Sequence, residues 1–243
     1  MDIKKKIGII GAEKKEIALL KRHFSGESVK VGGLIFFDGY IEKTPVCIVC
    51  SGIGKVNSAM CTQILISQFA VTEIINTGTA GGLSLEVDTF DIVVSTDTVQ
   101  HDVDATHFGY ALGQVPGTKT PFRKASTKLK SKVTTAFKAM QKKALVDEGV
   151  KLVEGRIASG DVFVSDKKLR SHIIKNFNPE CTEMEGAAVA QVCALNKIPF
   201  IILRSISDNA GKTKSAKVSY DEFSKKAAHT AAMLVLETLT LLS

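Results

Sequence analysis

Two short apolar runs, Val46-Cys-Ile-Val-Cys-Ser-Gly-Ile-Gly-Lys55 and Glu73-Ile-Ile-Asn-Thr-Gly-Thr-Ala-Gly-Gly82, flank a stretch from Val56 to Phe69 that carries no turn signal. Each run has the length of a strand and ends in glycine, and the stretch between them has the length of a helix. The same alternation recurs along the chain. Strands are predicted at Lys6–Gly11, Leu34–Ile41, Val46–Ser51, Glu73–Thr77, Asp91–Thr96, Leu152–Ala158 and Pro199–Ile206. Helices are predicted at Lys14–His23, Val56–Phe69, Ser126–Lys143, Asp166–Asn176, Glu183–Asn196 and Asp221–Leu242. In the last of these, Phe223, Ala227, Ala231, Leu234 and Leu241 fall along one face. Strands alternating with helices define an α/β sheet covered by helices. No repeat, low-complexity tract or linker divides the sequence, so residues 1–243 are expected to form a single domain.

Composition narrows the function classes. Of 243 residues, 44% are hydrophobic and 23% charged, the balance of a globular protein with a sizeable core. The net charge of +7 comes from scattered lysines and short runs such as Lys4-Lys5-Lys6, and with 6% aromatics and no Trp there is little to stack single-stranded bases. The charge therefore reads as a solvated surface, with no nucleic-acid partner expected. No apolar stretch has the length of a membrane span or of a signal-peptide core. Five cysteines fit reduced thiols in a cytoplasm. Cys47 and Cys50 are three apart on a predicted strand and face opposite sides, so they cannot share a metal or a disulfide.

Familiar motifs fail on inspection. Gly211-Lys-Thr213 lacks the earlier glycine of a phosphate loop, since Ile206 stands there, and Val49 breaks the same pattern before Lys55. No GxGxxG opens a helix, so no dinucleotide cofactor is expected. His101, Asp102, Asp104 and His107 lie in a loop without helical ligand spacing, and no metal is expected there.

What remains is a pattern of polar residues at strand ends: Ser51-Gly-Ile-Gly-Lys55, Thr77-Gly-Thr-Ala-Gly-Gly82, Ser159-Gly-Asp161 and Ser207-Asp208-Asn209. Ligands of α/β sheets bind beyond the carboxyl ends of strands, and glycine there admits close approach to the backbone. Taken singly, Glu16 reads as an exposed helical glutamate and Asp208 as a turn or cap residue. Glu183 and Glu185, two apart on the predicted helix, would face different sides, so at most one would enter a given pocket.

In register, however, Ile7-Gly-Ile-Ile-Gly-Ala12 with Glu16, Ser51-Gly-Ile-Gly-Lys-Val-Asn57, Asn76-Thr-Gly-Thr-Ala-Gly-Gly82, Ala158-Ser-Gly-Asp161, Glu183-Met-Glu-Gly186 and Arg204-Ser-Ile-Ser-Asp208 resemble the 5′-methylthioadenosine/S-adenosylhomocysteine nucleosidases of the nucleoside phosphorylase superfamily. The likeness covers nearly the whole chain. It implies a three-layer α/β/α sandwich around a central twisted mixed sheet, and hydrolysis of the N-glycosidic bond of methylthioadenosine and S-adenosylhomocysteine, with 5′-deoxyadenosine as a further substrate. No cofactor is implied.

By the same resemblance, Asp208, oriented by Ser207, protonates the imidazole-ring nitrogen of adenine, and Glu16, helped by Arg204, activates the attacking water. Phe163 stacks on the purine and the backbone of Val164 reads its edge. Met184 and Glu185 hold the ribose, and Ala12, Thr79, Ala80, Gly81, Glu183 and Ala210 complete the substrate site. Ile53 and Tyr220 line the 5′-substituent pocket together with Phe108 and Pro116 of the partner subunit of a homodimer.

The nucleophile is expected to be water. A phosphate dianion calls for arginine forks, whereas Ile74-Ile-Asn-Thr77 precedes Gly78 and no arginine occurs before Arg22. Two positions depart from the family pattern: Glu13 stands where a methionine is common, and Thr79 replaces a serine. Both bear on the 5′ group rather than on the reaction. The competing readings are a nucleosidase for another 5′-modified adenosine such as aminodeoxyfutalosine, a purine nucleoside phosphorylase, and a nucleoside-binding module without turnover.

Overall fold

A computed structural model of the chain describes residues 5–210 and 216–242. Lys4 and the Gly211-Lys-Thr213 stretch considered above lie outside the described residues. In chain order the elements are β1 (Ile7–Gly11), α1 (Lys14–Arg22), β2 (Phe24–Val31), β3 (Leu34–Ile41), β4 (Thr44–Cys50), α2 (Lys55–Phe69), β5 (Glu73–Gly82) and β6 (Ile92–Gln100). They continue with β7 (Arg123–Lys124), α3 (Thr127–Lys142), β8 (Leu152–Ser159), α4 (Lys167–Phe177), β9 (Cys181–Glu183), α5 (Gly186–Asn196), β10 (Phe200–Asp208) and α6 (Ala216–Thr240).

The strands form one mixed sheet in the order β10-β6-β8-β9-β5-β1-β4-β3-β2. β5 also pairs with β10, which closes part of the sheet on itself. The length of β5 makes this possible. Its first half lies parallel to β1 through Ile7↔Glu73 to Ile10↔Asn76, while its far end meets β9 through Gly81 and Gly82. Helices cover both faces. On one, Ile17 and Leu20 of α1, Leu129 and Val133 of α3 and Leu234 and Val235 of α6 pack on Ile9, Ile75 and Leu203. On the other, Cys61 and Leu65 of α2 and Val189 and Cys193 of α5 pack on Ile10, Ile74 and Ile202. This is the expected sandwich around a mixed sheet. Cys47 belongs to the second core and Cys50 packs against the first, as alternation along β4 requires.

Three elements differ from the sequence reading, and the first two of these differences shape the site. β5 continues to Gly82 and β10 to Asp208, so the glycine-rich end of β5 is strand rather than loop. The helix expected from Glu183 begins at Gly186, because Glu183 ends β9 and its carboxylate accepts from the amides of Glu185 (3.1 Å) and Gly186 (2.8 Å). β2 was not foreseen. It is an outer strand with most side chains exposed, and it forms a hairpin with β3 through Gly32 and Gly33, both at positive φ.

Candidate active site

The ends of β5, β9 and β10 and the start of α1 surround a cavity of about 350 Å³, the size of a small-molecule site. Its walls include Ala12, Glu13, Glu16, Ile53, Thr79, Ala80, Gly81, Phe163, Thr182, Glu183, Met184, Glu185, Ser207, Asp208 and Tyr220. Val164 and Ala210 lie beside it, around a smaller recess shared with Phe163, Met184 and Asp208. A larger groove of about 520 Å³, bordered by Lys5, Lys6, Asp38 and Phe69, holds no comparable set of buried acids. Chemistry therefore belongs to the first cavity.

Asp208 is the last residue of β10, so the strand itself aims it at the cavity. It is buried, and the Ser207 hydroxyl donates to its Oδ1 at 2.9 Å. Burial pushes its pKa up, and only the Ser207 bond opposes that. Among the described residues no cation compensates its charge, so burial favours the protonated form of this carboxyl.

Glu16 sits in the first turn of α1. Its Oε2 accepts from the amides of Ala12 (2.7 Å) and Glu13 (2.9 Å), and its Oε1 accepts from Thr79 (3.0 Å). A Cβ on Gly78 would lie 2.5 Å from Oε1, so the bare glycine backbone is what gives the carboxylate its place. Burial raises its pKa, partly offset by the field of Arg204.

Arg204 is the charged hub beneath these groups and is 1% exposed. Its Nη2 donates to Asn76 Oδ1 at 2.6 Å and to Glu183 Oε2, and lies 3.8 Å from Glu185 Oε2. No hydrogen bond joins it to Glu16; it acts on that residue through its charge. Burial disfavours the Glu183 carboxylate, but Arg204, Ser159 and the Gly186 amide hold its pKa below the ordinary value. Glu185 has the opposite fate. Burial and the neighbouring Glu183 charge push it up to about 8, against Arg204 and the Gly54 amide, which donates to Oε1 at 2.9 Å. One guanidinium does not offset burial for every carboxylate around it: Glu183 is lowered, whereas Glu185 and Glu16 are raised.

The reading of Glu183 and Glu185 as opposite faces of one helix is thus corrected. Glu183 ends a strand, Glu185 sits at the helix N-cap, and both turn toward Arg204. Phe108 and Pro116 of the same chain do not line the cavity; Phe108 is 81% exposed. Two residues the sequence reading overlooked are Asn76, which ties Arg204 to the Ile10 carbonyl, and Ser159, which donates to Glu183 and accepts from Ala187. Asn76 was discernible as a lone amide inside an apolar strand.

The two aspartates of the loop considered for metal ligands are otherwise engaged. Asp102 pairs with Lys55 at 2.7 Å and accepts from the Asp161 amide, while Asp104 accepts from Thr106. Among the described residues no group of His, Cys, Asp or Glu converges as metal ligands would. Among them, too, no helix is long and apolar enough to cross a membrane.

A buried acid with no cation beside it among the described residues, a second carboxylate cradled by backbone amides, and a recess at Phe163 make this an acid–base site beside a pocket for a planar group. The chain matches the phosphorylase superfamily over residues 6–240, and it belongs to that family. It is 41% identical to the 5′-methylthioadenosine/S-adenosylhomocysteine nucleosidase of Treponema pallidum, across 98% of this chain and 93% of the relative. Its structure is similar to that of the nucleosidase of the same name from Neisseria meningitidis in complex with methylthio-immucillin-A, with TM-score 0.91 and 37% identity over 98% of this chain and 99% of the other. The futalosine hydrolase of Helicobacter pylori is similar as well, with TM-score 0.89 and 34% identity over 99% of this chain and 100% of the other.

Proposed function

We propose that the chain hydrolyses the N-glycosidic bond of 5′-thio-substituted adenosines, methylthioadenosine and S-adenosylhomocysteine, releasing adenine and the thio-substituted ribose. The observation that carries this reading is the environment of Glu16. An ionised carboxylate offers about four lone-pair sites. The amides of Ala12, Glu13 and Thr79 take three of them, which leaves one for a water. The same amides are the donors a phosphate nucleophile would need, and they are already occupied by a negative charge. Water, not phosphate, is the nucleophile this arrangement accepts.

In the reaction, Asp208 gives its proton to the imidazole-ring nitrogen of adenine as the C1′–N9 bond breaks and its electrons pass to the base. The sugar develops oxocarbenium character, which the negative charge of Glu16 stabilises. Water forms the new bond to C1′ and loses a proton to Glu16. Phe163 and the Val164 backbone hold the base, and Met184 and Glu185 hold the ribose. Ile53 and Tyr220 face the 5′ end.

The working unit is proposed to be a homodimer in which Phe108 and Pro116 of the partner subunit close the 5′ end of the cavity. Ile53 in the cavity wall is exposed, as are Val56 and Met60 on the helix α2 that follows it, which supports an apolar contact on this side. The free cysteines fit a reducing, cytoplasmic setting.

The test is product analysis. Purified protein is incubated with methylthioadenosine, with and without phosphate. The expected outcome is adenine and free methylthioribose at the same rate in both. A sugar 1-phosphate appearing only with phosphate would make the chain a phosphorylase, and the absence of adenine would leave a binding module.

A further inference from the structure

The cavity contains one ionised side chain for which the proposed hydrolysis has no use. Glu13 lines the wall next to Tyr220, with its side chain 32% exposed. Its backbone amide serves Glu16, but its carboxylate turns away to a separate cluster. There Oε2 accepts from the Tyr220 phenol and lies 2.9 Å from Lys15 Nζ. Lys15 Nζ in turn is 3.0 Å from the Tyr220 oxygen and 3.2 Å from Ser224 Oγ, and it stands over the tyrosine ring. Burial works against the charge of Glu13, yet Tyr220 and Lys15 outweigh it and keep the carboxyl ionised at neutral pH. The Tyr220 ring also meets Phe163 edge to face, with centroids 5.9 Å apart, so this cluster borders the nucleoside pocket rather than bulk surface.

An exposed ion pair adds little to stability. Here its Glu13 half stands in the pocket wall with Lys15 Nζ 2.9 Å from it, and that changes what the pocket accepts. A short apolar 5′ group would cover the carboxylate and strip its water with nothing given back. A group that ends in both an ammonium and a carboxylate would replace that water with charge-assisted hydrogen bonds, its ammonium to Glu13 and its carboxylate to Lys15. A simple amine would meet Lys15 unscreened, whereas a zwitterion meets both charges. We infer that Glu13, held by Lys15 and Tyr220, is a specificity-determining residue that selects a 5′ substituent ending in an α-amino acid over a bare methylthio group.

The inference rests on the reading of the cavity as an adenine nucleosidase site, and its test is built to fail separately from that reading. The rates compared are kcat/KM for S-adenosylhomocysteine, for its deaminated analogue that keeps the carboxylate, and for methylthioadenosine. The native chain is expected to favour S-adenosylhomocysteine over the deaminated analogue by about tenfold. Glu13→Met and Glu13→Gln are both expected to reduce that preference about tenfold, chiefly through KM, since glutamine keeps the shape and loses the charge. Equilibrium binding of the same ligands to Asp208→Asn protein, with and without the Glu13 changes, reads the same ratios without turnover. If adenine is not released but the binding ratios hold, the nucleosidase reading fails and tail selection stands. A deaminated analogue handled as well as its parent, or ratios that stay within twofold in both variants, overturns tail selection alone. Failure of every ligand to bind overturns both.

Discussion

Asp208 and Glu183 are both buried carboxyls at strand ends, yet they are tuned in opposite directions. Glu183 has Arg204, Ser159 and the Gly186 amide around it and stays ionised, whereas Asp208 has one hydroxyl and, among the described residues, no cation, and is pushed toward its neutral form. That difference supports the proposed role of Asp208 as the proton donor. In Asp208→Asn the side chain keeps its shape and its bond to Ser207 but has no acidic proton. We expect kcat for methylthioadenosine to fall by about 10²- to 10⁴-fold while Kd changes only a few-fold. Near-native turnover in a stopped assay would remove Asp208 from that role. Glu185 carries a stability prediction. Its folded pKa of about 8 lies above the ordinary 4.5, so the neutral form is the one the fold favours. The associated stability is present in full below about 4.5 and is lost as pH rises through about 8. Glu185→Gln removes the titration, so Tm of the ligand-free variant should gain on the native chain between those pH values. A difference in Tm that does not vary with pH would contradict the assignment.

At the scale of elements, the carboxylates owe their positions to strand ends and helix starts that sequence could partly reveal. β1, β4, β5 and β10 were legible because their apolar runs are bounded by glycine, serine or aspartate, whereas Asp208 and Glu16, unremarkable taken singly, gained roles only through the family resemblance. β2 was not legible, because this largely exposed edge strand packs only Phe24, Val29 and Val31 partly against the cores, too little burial to imprint an alternating pattern. The start of α5 was misread for a different reason. Glu183-Met-Glu-Gly-Ala-Ala has helical composition, and what ends β9 there is the Glu183 carboxylate capping the amides at Glu185 and Gly186, a tertiary arrangement locked by Arg204. The far end of β5 has an equally specific purpose. A methyl group on Gly78 would stand 2.5 Å from Glu16 Oε1, against a side chain held by amides from two elements. Gly78→Ala is expected to displace that carboxylate from the Thr79 amide, to lower kcat by at least about tenfold and to cost about 1–3 kcal/mol of stability in urea unfolding. An unchanged kcat would mean that the cradle around Glu16 does not matter to the rate.

For the whole molecule the decisive question is whether each cavity is complete within one chain. Most of its walls are, since β5, β9, β10 and α1 bring Asp208, Glu16 and Glu185 together without help. The opening beside Ile53, the proposed 5′ end, is the exception, because Ile53 is 52% exposed and Phe108, also exposed, does not line this cavity in its own chain. If the partner subunit's Phe108 closes that end, the two defects Asp208→Asn and Phe108→Ala reside in different pockets of a mixed dimer. One pocket then carries both lesions. The other has its own Asp208 and receives an intact aromatic ring. Equal amounts of the two variants, unfolded together and refolded, should restore native kinetics to roughly a quarter of the pockets by random pairing. At substrate concentrations below KM, that recovery appears as activity above the average of the two variants refolded separately. Activity equal to that average would show that each chain builds its own pocket, and Phe108 would then have no part in the neighbour's site.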